Sequence, residues 1–445
     1  MDAAARVVRA QRMAAPVHVP VAIVGAGACG LVAALALRDA GIDCVVLERD
    51  ASPGGSTALS SGFIPAAGTQ VQRALGIEDS AARFARDILD KSRGTAAAHL
   101  VEAYARAAAP ALDALARNGL RFEVLTQFLY PGHGVHRMHS LPQRTGAALV
   151  AALLEAVTAC GADLLPCARV TELWADARDR ILGIGVERPG AAMQRIGCDV
   201  LLLACNGFGG NPRLVRELLP EMRDATFAGH GGNDGSAILW GRQLGAALAD
   251  LGGYQGHGSW VVPQGALMTW AVMMEGGVQL NARGQRFHDE RQGYSEAAVD
   301  VLAQPGGICW NVFGTAQLAL AREFPDFREA EAAGALRTAP HRQALARIVG
   351  CEAAALAPEI ERFGPPFHAV RVTGALFHTQ GGLDVDSDCR VRRSDGSLFP
   401  NLLAAGGAAR GVSGNAVWGY LSGNGLLSAV AGGWIAAQTA ATQLA

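Results

Sequence analysis

The pattern of apolar and polar positions near the start of the chain predicts a strand, a glycine turn, a helix and a second strand. Residues 19–24 form a continuous apolar run, which is typical of a parallel strand buried on both faces. Glycines follow at once, residues 31–40 have helical composition, and Gly41 ends the helix. Residues 44–47 form the next apolar strand, so the chain opens as a βαβ unit of an α/β fold.

The same reading continues along the chain. It predicts helices at 79–91, 95–118 and 145–160, followed by a β-rich block at 163–205 that contains a hairpin. Residues 253–375 differ in character, with a hairpin predicted at 270–287, and strand-like segments return at 398–405. The α/β pattern is therefore interrupted by an inserted lobe.

The last 35 residues, 411–445, carry no charged side chain, which leaves a membrane span and a buried helix as alternatives. Asn415 and Asn424 interrupt the first half, and the continuous apolar part, residues 426–437, is shorter than the ~20 residues that a span needs. A buried helix is favoured. Residues 1–18 form an N-terminal tail without the apolar segment of a secretory signal.

Composition narrows the class of protein. The formal net charge of −2 gives no basic surplus for nucleic acid or an anionic membrane. Nine cysteines without a C-x-x-C pair argue against zinc ribbons and redox pairs, and they fit a reducing cytoplasm. Gly is 56 of 445 residues, well above the usual ~7 %, which suggests tight turns and close approach of the backbone to a bound group.

A G-x-G-x-x-G motif follows the first strand, as Gly25-Ala26-Gly27-Ala28-Cys29-Gly30. Glycines at these positions allow the tight turn, the approach of a pyrophosphate and close packing of the helix on the strand. Glu48, at the end of the next strand, would bind a ribose hydroxyl, which favours a ribose without a 2′-phosphate. NAD and FAD share this fingerprint.

The segments downstream decide between the two cofactors. The stretch from Gly54 to Gly62, the segments around Asn206 and His378, and the block from residue 401 to Gly406 resemble the flavoproteins of the fumarate reductase/succinate dehydrogenase superfamily. This resemblance covers nearly the whole chain and implies FAD. The residues that it assigns to the cofactor are Gly25, Ala26, Gly27, Ala28, Cys29, Gly30, Glu48, Arg49, Gly54, Gly55, Ser56, Thr57, Ser61, Gly62, Val170, Ala204, Asn206, Asn233, Asp234, Gly406, Asn424, Leu426 and Leu427.

The resemblance also implies the domain organisation. Members bind FAD in a Rossmann-like domain of two chain segments, here 19–252 and 376–445, with an inserted capping and substrate domain, here 253–375. The C-terminal helix would begin near Asn424 with its N-terminus toward the flavin, where a positive helix end stabilises the anionic reduced ring.

Two positions depart from common members of the superfamily. Members that bind flavin covalently carry His where Ser56 stands, and serine cannot form that bond, so noncovalent FAD is expected. Many relatives place Glu after the A-A-G block, where this chain has Gly407.

The substrate-side motifs divide the superfamily into branches. Gln255-Gly256-His257 and His378 resemble in part the segments with which fumarate reductases bind a dicarboxylate. Their two arginine positions differ, because this chain has Tyr294 near one and Tyr420 near the other. A tyrosine at both positions looks like the 3-ketosteroid dehydrogenases, and residues 419–423 resemble the G-Y-x-S-G of the Δ4-(5α) enzymes.

This second resemblance implies a mechanism. Tyr294 would take the proton α to a ketone, and Tyr420, with Ser422 or a backbone N–H near Asn424, would donate to the carbonyl oxygen as charge grows there. A tyrosine base needs its pKa lowered from about 10, for which Arg291 or His257 could supply positive charge or relay the proton. The β carbon would pass hydride to flavin N5. The alternative is that the two tyrosines only pack.

Other histidines and arginines leave further alternatives. His257 and His378 line the pocket, bond the flavin edge or are structural. Residues 130–139 hold three histidines; a metal site is conceivable there, but no nearby carboxylate or Cys completes it, and a loop at the pocket mouth is preferred. Arg137, Arg144 or Arg291 could hold a substrate carboxylate.

The sequence therefore predicts an FAD-dependent oxidoreductase acting on CH–CH bonds, which desaturates a 3-ketosteroid or a smaller cyclohexanone-type ring. An ene-reductase of the fumarate or urocanate reductase type is the alternative, and a flavin-binding subunit without its own chemistry is a third. No haem, iron–sulfur or second dinucleotide motif is present, so electrons would leave to an external acceptor or O2.

Overall fold

The computed structural model describes residues 5–445, which divide into two compact units. The first unit contains the described residues up to Leu218 together with Gly229–Tyr254 and His378–Ala445. The second unit contains Leu219–Ala228 and Gln255–Phe377. The sequence-based boundaries lie at 252/253 and 375/376 and leave residues 219–228 in the first domain, and the role of the second unit as a capping domain stays a prediction.

The chain forms 21 strands and 14 α-helices within the described residues. The strands are β1 Arg6–Arg9, β2 Val17–Val24, β3 Cys44–Leu47, β4 Ile64–Pro65, β5 Glu123–Val124, β6 Met138–Ser140, β7 Asp163–Leu165, β8 Arg169–Ala175, β9 Ile181–Glu187, β10 Gln194–Leu203, β11 Thr226–Phe227, β12 Leu248–Ala249, β13 Tyr254–Val261, β14 Ala266–Leu267, β15 Val278–Leu280, β16 Ile308–Phe313, β17 Leu336–Ala339, β18 Phe367–Thr379, β19 Gly382–Leu383, β20 Arg390–Arg392 and β21 Leu398–Ala404. The helices are α1 Ala28–Asp39, α2 Gly55–Ala58, α3 Gln70–Ala74, α4 Ala81–Lys91, α5 Ala98–Arg117, α6 Gly146–Ala159, α7 Pro212–Leu218, α8 Ser236–Leu244, α9 Ala271–Met274, α10 Tyr294–Leu302, α11 Thr315–Ala321, α12 Pro325–Ala332, α13 Arg342–Val349 and α14 Asn424–Leu444.

The first unit is built on a nine-stranded sheet whose main order is β1-β8-β9-β10-β2-β3-β7, with β21 also paired to β10 and β20 to β21. The strands β21, β10, β2, β3 and β7 run parallel to one another. Their carboxyl ends meet at one edge, where open α/β sheets bind ligands. The predicted α/β fold class, with its opening βαβ unit and its hairpin of β8 and β9, is confirmed.

The C-terminal helix α14 begins at Asn424, as the resemblance implies, and packs against α1 and α5. A Cβ on Gly433 would lie 2.4 Å from the carbonyl oxygen of Cys29, so a glycine is required where α14 meets α1. Among residues 5–445, no helix has both the length and the hydropathy that a bilayer crossing requires.

The second unit has its own seven-stranded sheet, in the order β14-β13-β18-β16-β15, with β11 and β17 also paired to β18. The hairpin predicted at 270–287 is wrong. Residues 271–274 form the short helix α9, which ends before Gly276 at φ +100°, and β15 pairs with the distant strand β16.

Candidate functional site

The glycine turn lies between β2 and α1 at the carboxyl edge of the sheet. A Cβ on Gly25 would lie 2.6 Å from the carbonyl oxygen of Ala204, and a Cβ on Gly30 would lie 1.9 Å from that of Gly25. Gly25 also adopts φ +110°, which side chains rarely accept. The turn therefore admits only backbone here, and the start of α1 stays open to an anionic group.

Glu48 is held beside this turn by two backbone donors. Its carboxylate accepts from the N–H of Ala26 at 2.9 Å and from that of Asp50 at 3.0 Å, and the side chain is buried. An ionised carboxylate has about four acceptor positions, so it can also accept from a ribose hydroxyl. That role for Glu48 stays a prediction.

Two neighbouring side chains join distant segments of the predicted cofactor site. The hydroxyl oxygen of Thr57 accepts from the N–H of Ala28 at 3.0 Å, at the first turn of α1. The hydroxyl oxygen of Ser56 accepts from the amide of Asn233 at 2.8 Å. The side chain at position 56 is thus tied to the loop before α8.

Arg49 and Asp234, which the resemblance assigns to the cofactor independently, form an ion pair. The guanidinium of Arg49 donates to Asp234 Oδ2 at 3.0 Å and to the carbonyl of Gly232 at 3.1 Å. With Asn233 this places three predicted residues at one location of the first unit.

The remaining predicted cofactor residues also lie in the first unit. Gly406, at φ +61°, meets Cys29, whose Cβ is 3.2 Å from the position of a Cβ on Gly406. The roles of the others rest on the resemblance alone: Gly54, Gly55, Ser61, Gly62, Val170, Leu426 and Leu427.

The pair Asn206 and Gly407 explains one departure from relatives. Asn206 has φ +64°, and its side-chain oxygen accepts from the N–H of Gly207 at 2.8 Å. A Cβ on Gly407 would lie 2.1 Å from that oxygen. The Asn206 side chain therefore occupies the space that a side chain at position 407 would need.

The loop before α14 carries Tyr420 and Ser422, both buried. The Tyr420 ring lies edge-on to the imidazole of His378, with centroids 5.5 Å apart. His133 Nε2 donates to the carbonyl oxygen of Ser422 at 2.9 Å and so anchors this loop. His378 also lies against the first turn of α14, because a Cβ on Gly425 would be 2.8 Å from its Nε2.

In the second unit, His257 lies in a cluster of rings. It stacks on Tyr294 with centroids 4.9 Å apart and planes 19° apart, and it contacts Trp270 and Phe377 at 5.7 and 5.6 Å. The N–H of Ser259 donates to His257 Nδ1 at 3.1 Å, so the neutral ring carries its hydrogen on Nε2. Burial lowers the pKa of His257 to about 3.

His257 therefore cannot supply the positive charge that the sequence analysis expects beside Tyr294. Arg291 does not supply it either, because its side chain is 79 % exposed and pairs with Asp289. The buried charge in this segment is Glu290, which accepts from Arg286 and from the backbone N–H of Gln279. These contacts hold the segment that leads into Tyr294.

Arg137, one of the three arginines that the sequence left open as a carboxylate ligand, is occupied by protein partners. Its guanidinium is fully buried and donates to Asp79 at 3.0 and 3.1 Å and to Asp87 at 2.6 Å. Both carboxylates belong to the protein, so Arg137 is structural. Arg144 is exposed.

The histidines of residues 130–139 have protein partners. His139 Nε2 contacts the hydroxyl of Thr69 at 2.8 Å, and burial lowers the pKa values of His133 and His139 to about 4. No group of three side chains suited to a metal ion is found within residues 5–445.

Sequence reasoning missed two groups near Tyr420. Tyr130 lies close enough to Tyr420 for the two to interact electrostatically, burial raises the pKa of Tyr130, and its ring meets Phe63 and Phe128. Because the chain has only five tyrosines, the sequence could have pointed to Tyr130 as a candidate site residue. It could not have pointed to Gln380 and Ser413 as partners of His378, because only the fold brings them together.

Comparison with known proteins identifies the family of the chain. A family model described as FAD binding domain matches residues 20–426. The chain belongs to this FAD-binding family. The predicted cofactor, FAD, and the predicted superfamily are confirmed, and the protein is an FAD-dependent oxidoreductase.

Several relatives of this FAD-binding chain carry reductase names. Probable fumarate reductase Ifc3 of Shewanella frigidimarina is 26 % identical over 445 residues, covering 95 % of this chain and 74 % of that protein. Urocanate reductase of Eggerthella lenta is 25 % identical over 426 residues, covering 87 % and 69 %.

Solved structures of both predicted branches are similar to the FAD-binding chain. The open conformation of a flavocytochrome c3 fumarate reductase has a TM-score of 0.83 at 25 % identity, covering 96 % of this chain and 79 % of that one. 3-Ketosteroid-Δ4-(5α)-dehydrogenase from Rhodococcus jostii RHA1 has a TM-score of 0.77 at 23 % identity, covering 97 % and 98 %. The second likeness concerns the fold alone.

The residues present fit FAD. A Cβ on Gly27, the residue before α1, would have only Thr57 Oγ1 within 4 Å, at 3.5 Å, so this glycine leaves open space at the first turn of α1 that a side chain would fill. Glu48 supplies a carboxylate at the end of the adjacent strand. The side chains of Asn206 and Asn424 add polar groups, and the amide oxygen of Asn424 is buried without a hydrogen-bond partner in the described part of the chain.

Proposed function

We propose that the protein is an FAD-dependent dehydrogenase that acts on a CH–CH bond and desaturates a cyclic ketone next to its carbonyl. The observation that carries the proposal is the ring cluster of His257, Trp270, Tyr294 and Phe377 in the second unit. It presents a neutral imidazole and a phenol among apolar rings, which suits an uncharged ring substrate.

Charge supports the same substrate class. A dicarboxylate needs cations, and the guanidiniums near this cluster have protein partners, since Arg286 binds Glu290 and Glu359 and Arg291 pairs with Asp289. Arg137 is paired with Asp79 and Asp87. A ketone needs only hydrogen-bond donors for binding.

In the proposed reaction Tyr294 takes the proton from the carbon α to the ketone. Tyr420 donates its O–H to the ketone oxygen, where negative charge grows as that proton leaves. Bound FAD supplies the acceptor for the hydride that leaves the β carbon. The substrate loses two hydrogens in total and becomes an α,β-unsaturated ketone.

The test is anaerobic bleaching of the flavin absorbance by a panel of ketones: cyclohexanone, 4-oxocyclohexanecarboxylate and 3-ketosteroids. We expect one class to bleach the wild type and Tyr294→Phe to slow that bleaching by about 10²–10⁴-fold, the usual contribution of a general base. Tyr104→Phe, which removes a buried hydroxyl beneath α14, is the matched control and should bleach like the wild type.

The second candidate is a reductase of an unsaturated carboxylate, which the names of the relatives favour. Its test is reoxidation of the dithionite-reduced protein by fumarate or urocanate. Reoxidation without bleaching by any ketone would overturn the dehydrogenase proposal. If the protein carries out neither reaction, the remaining candidate is a flavin-binding subunit without its own chemistry.

The remaining features of the proposal are the mode of cofactor binding and the partners. We propose noncovalent FAD, because Ser56 offers a hydroxyl already bonded to Asn233. The proposed partners are a small-molecule ketone and an external electron acceptor or O2, and a cytoplasmic location stays a prediction.

A further inference from the structure

Four polar side chains of the first unit, three of them buried and the fourth, His378, half-buried, form a continuous series of hydrogen bonds. The amide nitrogen of Asn424 donates to Ser413 Oγ at 3.0 Å, and the Ser413 hydroxyl donates to Gln380 Oε1 at 2.8 Å. Gln380 Nε2 then donates to His378 Nδ1 at 3.0 Å. Asn424 and Ser413 are completely buried and Gln380 is 4 % exposed, so solvent does not compete for these bonds.

The series has a direction that ends on the imidazole. Because Gln380 uses its oxygen to accept from Ser413, it presents its nitrogen to His378, and Nδ1 must accept. The neutral ring then carries its hydrogen on Nε2. The carbonyl oxygen of Thr379 lies 3.4 Å from Nδ1 and would need the opposite tautomer, but the amide contact at 3.0 Å is the shorter of the two.

We propose that Gln380, Ser413 and Asn424 are positioning residues that hold His378 as the neutral Nε2–H tautomer, a fixed hydrogen-bond donor beside Tyr420. The Nε2 edge lies over Gly425, where a Cβ would be only 2.8 Å away, and the Tyr420 ring meets the same imidazole. Burial lowers the pKa of His378 to about 4, so the ring is neutral near pH 7.

The consequence for catalysis rests on the proposed function. A donor fixed on Nε2 can share with Tyr420 the charge that develops on the ketone oxygen. The opposite tautomer would offer a lone pair to that oxygen and would oppose the reaction. The three positioning residues would therefore act on rate without touching the substrate.

Gln380→Glu tests the proposal directly. The carboxylate keeps the shape of the amide but can only accept, so it should move the imidazole hydrogen to Nδ1. It should also raise the pKa of His378, because a neighbouring negative charge favours the imidazolium.

The readout is the pair of ring ¹⁵N shifts of His378 in FAD-loaded protein labelled on histidine. The chain has 11 His, and His378→Asn assigns the resonance by its loss. We expect a protonated Nε2 in the wild type, a protonated Nδ1 in Gln380→Glu, and both tautomers in Ser413→Ala. Gln243→Glu, which adds the same charge at an exposed amide of α8, should keep the wild-type pattern.

A protonated Nδ1 in the wild type, or an unchanged tautomer in Gln380→Glu, would overturn the proposal whatever the substrate is. The rate of flavin bleaching by the ketone is the second arm, where we expect a loss of about 10²-fold in Gln380→Glu and less than about twofold in Gln243→Glu. A second outcome is that Gln380→Glu alters the tautomer while no ketone bleaches the wild-type flavin. That outcome would support the positioning role and overturn the proposed dehydrogenase activity.

Discussion

Asn206 and Gly407 share one small volume at the carboxyl edge of the first sheet, and neither can be understood alone. Asn206 accepts the left-handed backbone region at φ +64°, which Asn tolerates better than most residues. Its side-chain oxygen then stands where the Cβ of residue 407 would be. The absence of an acid after the A-A-G block is therefore coupled to the asparagine that follows the neighbouring strand, β10.

This coupling makes a prediction about Gly407→Ala. The added Cβ would lie 2.1 Å from Asn206 Oδ1, so the loop must shift, at a cost of about 1–3 kcal/mol for overpacking. We expect a lower apparent Tm and faster loss of FAD, measured by thermal unfolding and by release of flavin fluorescence.

The matched control is Gly231→Ala, whose added Cβ meets nothing within 4 Å. The double variant Asn206→Gly/Gly407→Ala removes the obstructing side chain and should recover most of the loss. If the double variant is no more stable than Gly407→Ala, the two positions do not share this volume.

Single residues differ in how far the sequence could reveal them. The glycine turn and Glu48 were predictable because their chemistry depends on spacing within one βαβ unit. The contact of Gln380 with Ser413 was not, since the two residues come together only through the fold. The role of Arg137 stayed open in the sequence because its partners Asp79 and Asp87 come from far earlier in the chain.

Among the elements, the segment that ends in β6 is held by one buried ion cluster. Arg137 receives Asp79 from the loop before α4 and Asp87 from α4 itself, and its guanidinium lies over the Phe84 ring. His133 of the same segment anchors the Ser422 carbonyl. A charge cluster thus supports the loop that carries Tyr420.

Replacing Arg137 by Met should therefore destabilise the protein strongly. The variant leaves the buried carboxylate of Asp79 and the partly buried carboxylate of Asp87 without their cation, which costs about 3–5 kcal/mol. Arg144→Met removes an exposed guanidinium from the same region and should change stability by less than about 0.5 kcal/mol. Chemical unfolding of the two holoproteins measures both, and equal effects would contradict a structural role for Arg137.

The elements also show where periodicity fails as a guide. Residues 271–274 are all apolar, so alternation of apolar and polar positions could not separate the short helix α9 from a strand. The partner of β15 lies far along the chain in β16. The long helices α4, α5 and α6 were predictable because their amphipathic or apolar patterns extend over three turns or more.

At the scale of the whole molecule, three buried histidines and the half-buried His378 make stability depend on pH. Their pKa values are about 4 for His133, His139 and His378 and about 3 for His257, against ~6.5 in an unfolded chain. Each pKa is lower in the folded protein than in the unfolded chain. At pH values between the two pKa values, the unfolded state therefore binds more protons than the folded state. The stability that these neutral histidines contribute is fully present above pH 6.5 and is lost as the pH falls toward 4.

We therefore expect the apparent Tm to fall as the pH is lowered from 7 to 5 at constant ionic strength. Each buried histidine contributes at most about 1.4 kcal/mol per pH unit in this range. His257→Asn should flatten the dependence, since it removes one such group, whereas His18→Asn removes a histidine that is 58 % exposed and should not. A Tm that is constant from pH 7 to 5 would contradict the assignment of neutral buried rings.

The packing of α14 on α1 sets an order of events during synthesis. The glycine turn and α1 leave the ribosome early, but the helix against which α1 packs, and the loop with Gly406 that meets Cys29, are translated far later. At roughly 5–20 residues per second, tens of seconds separate the two halves of the same site. During that interval the apolar helix α1 is exposed in the nascent chain because α14 has not yet been made. We therefore expect chaperones to bind the chain at this stage.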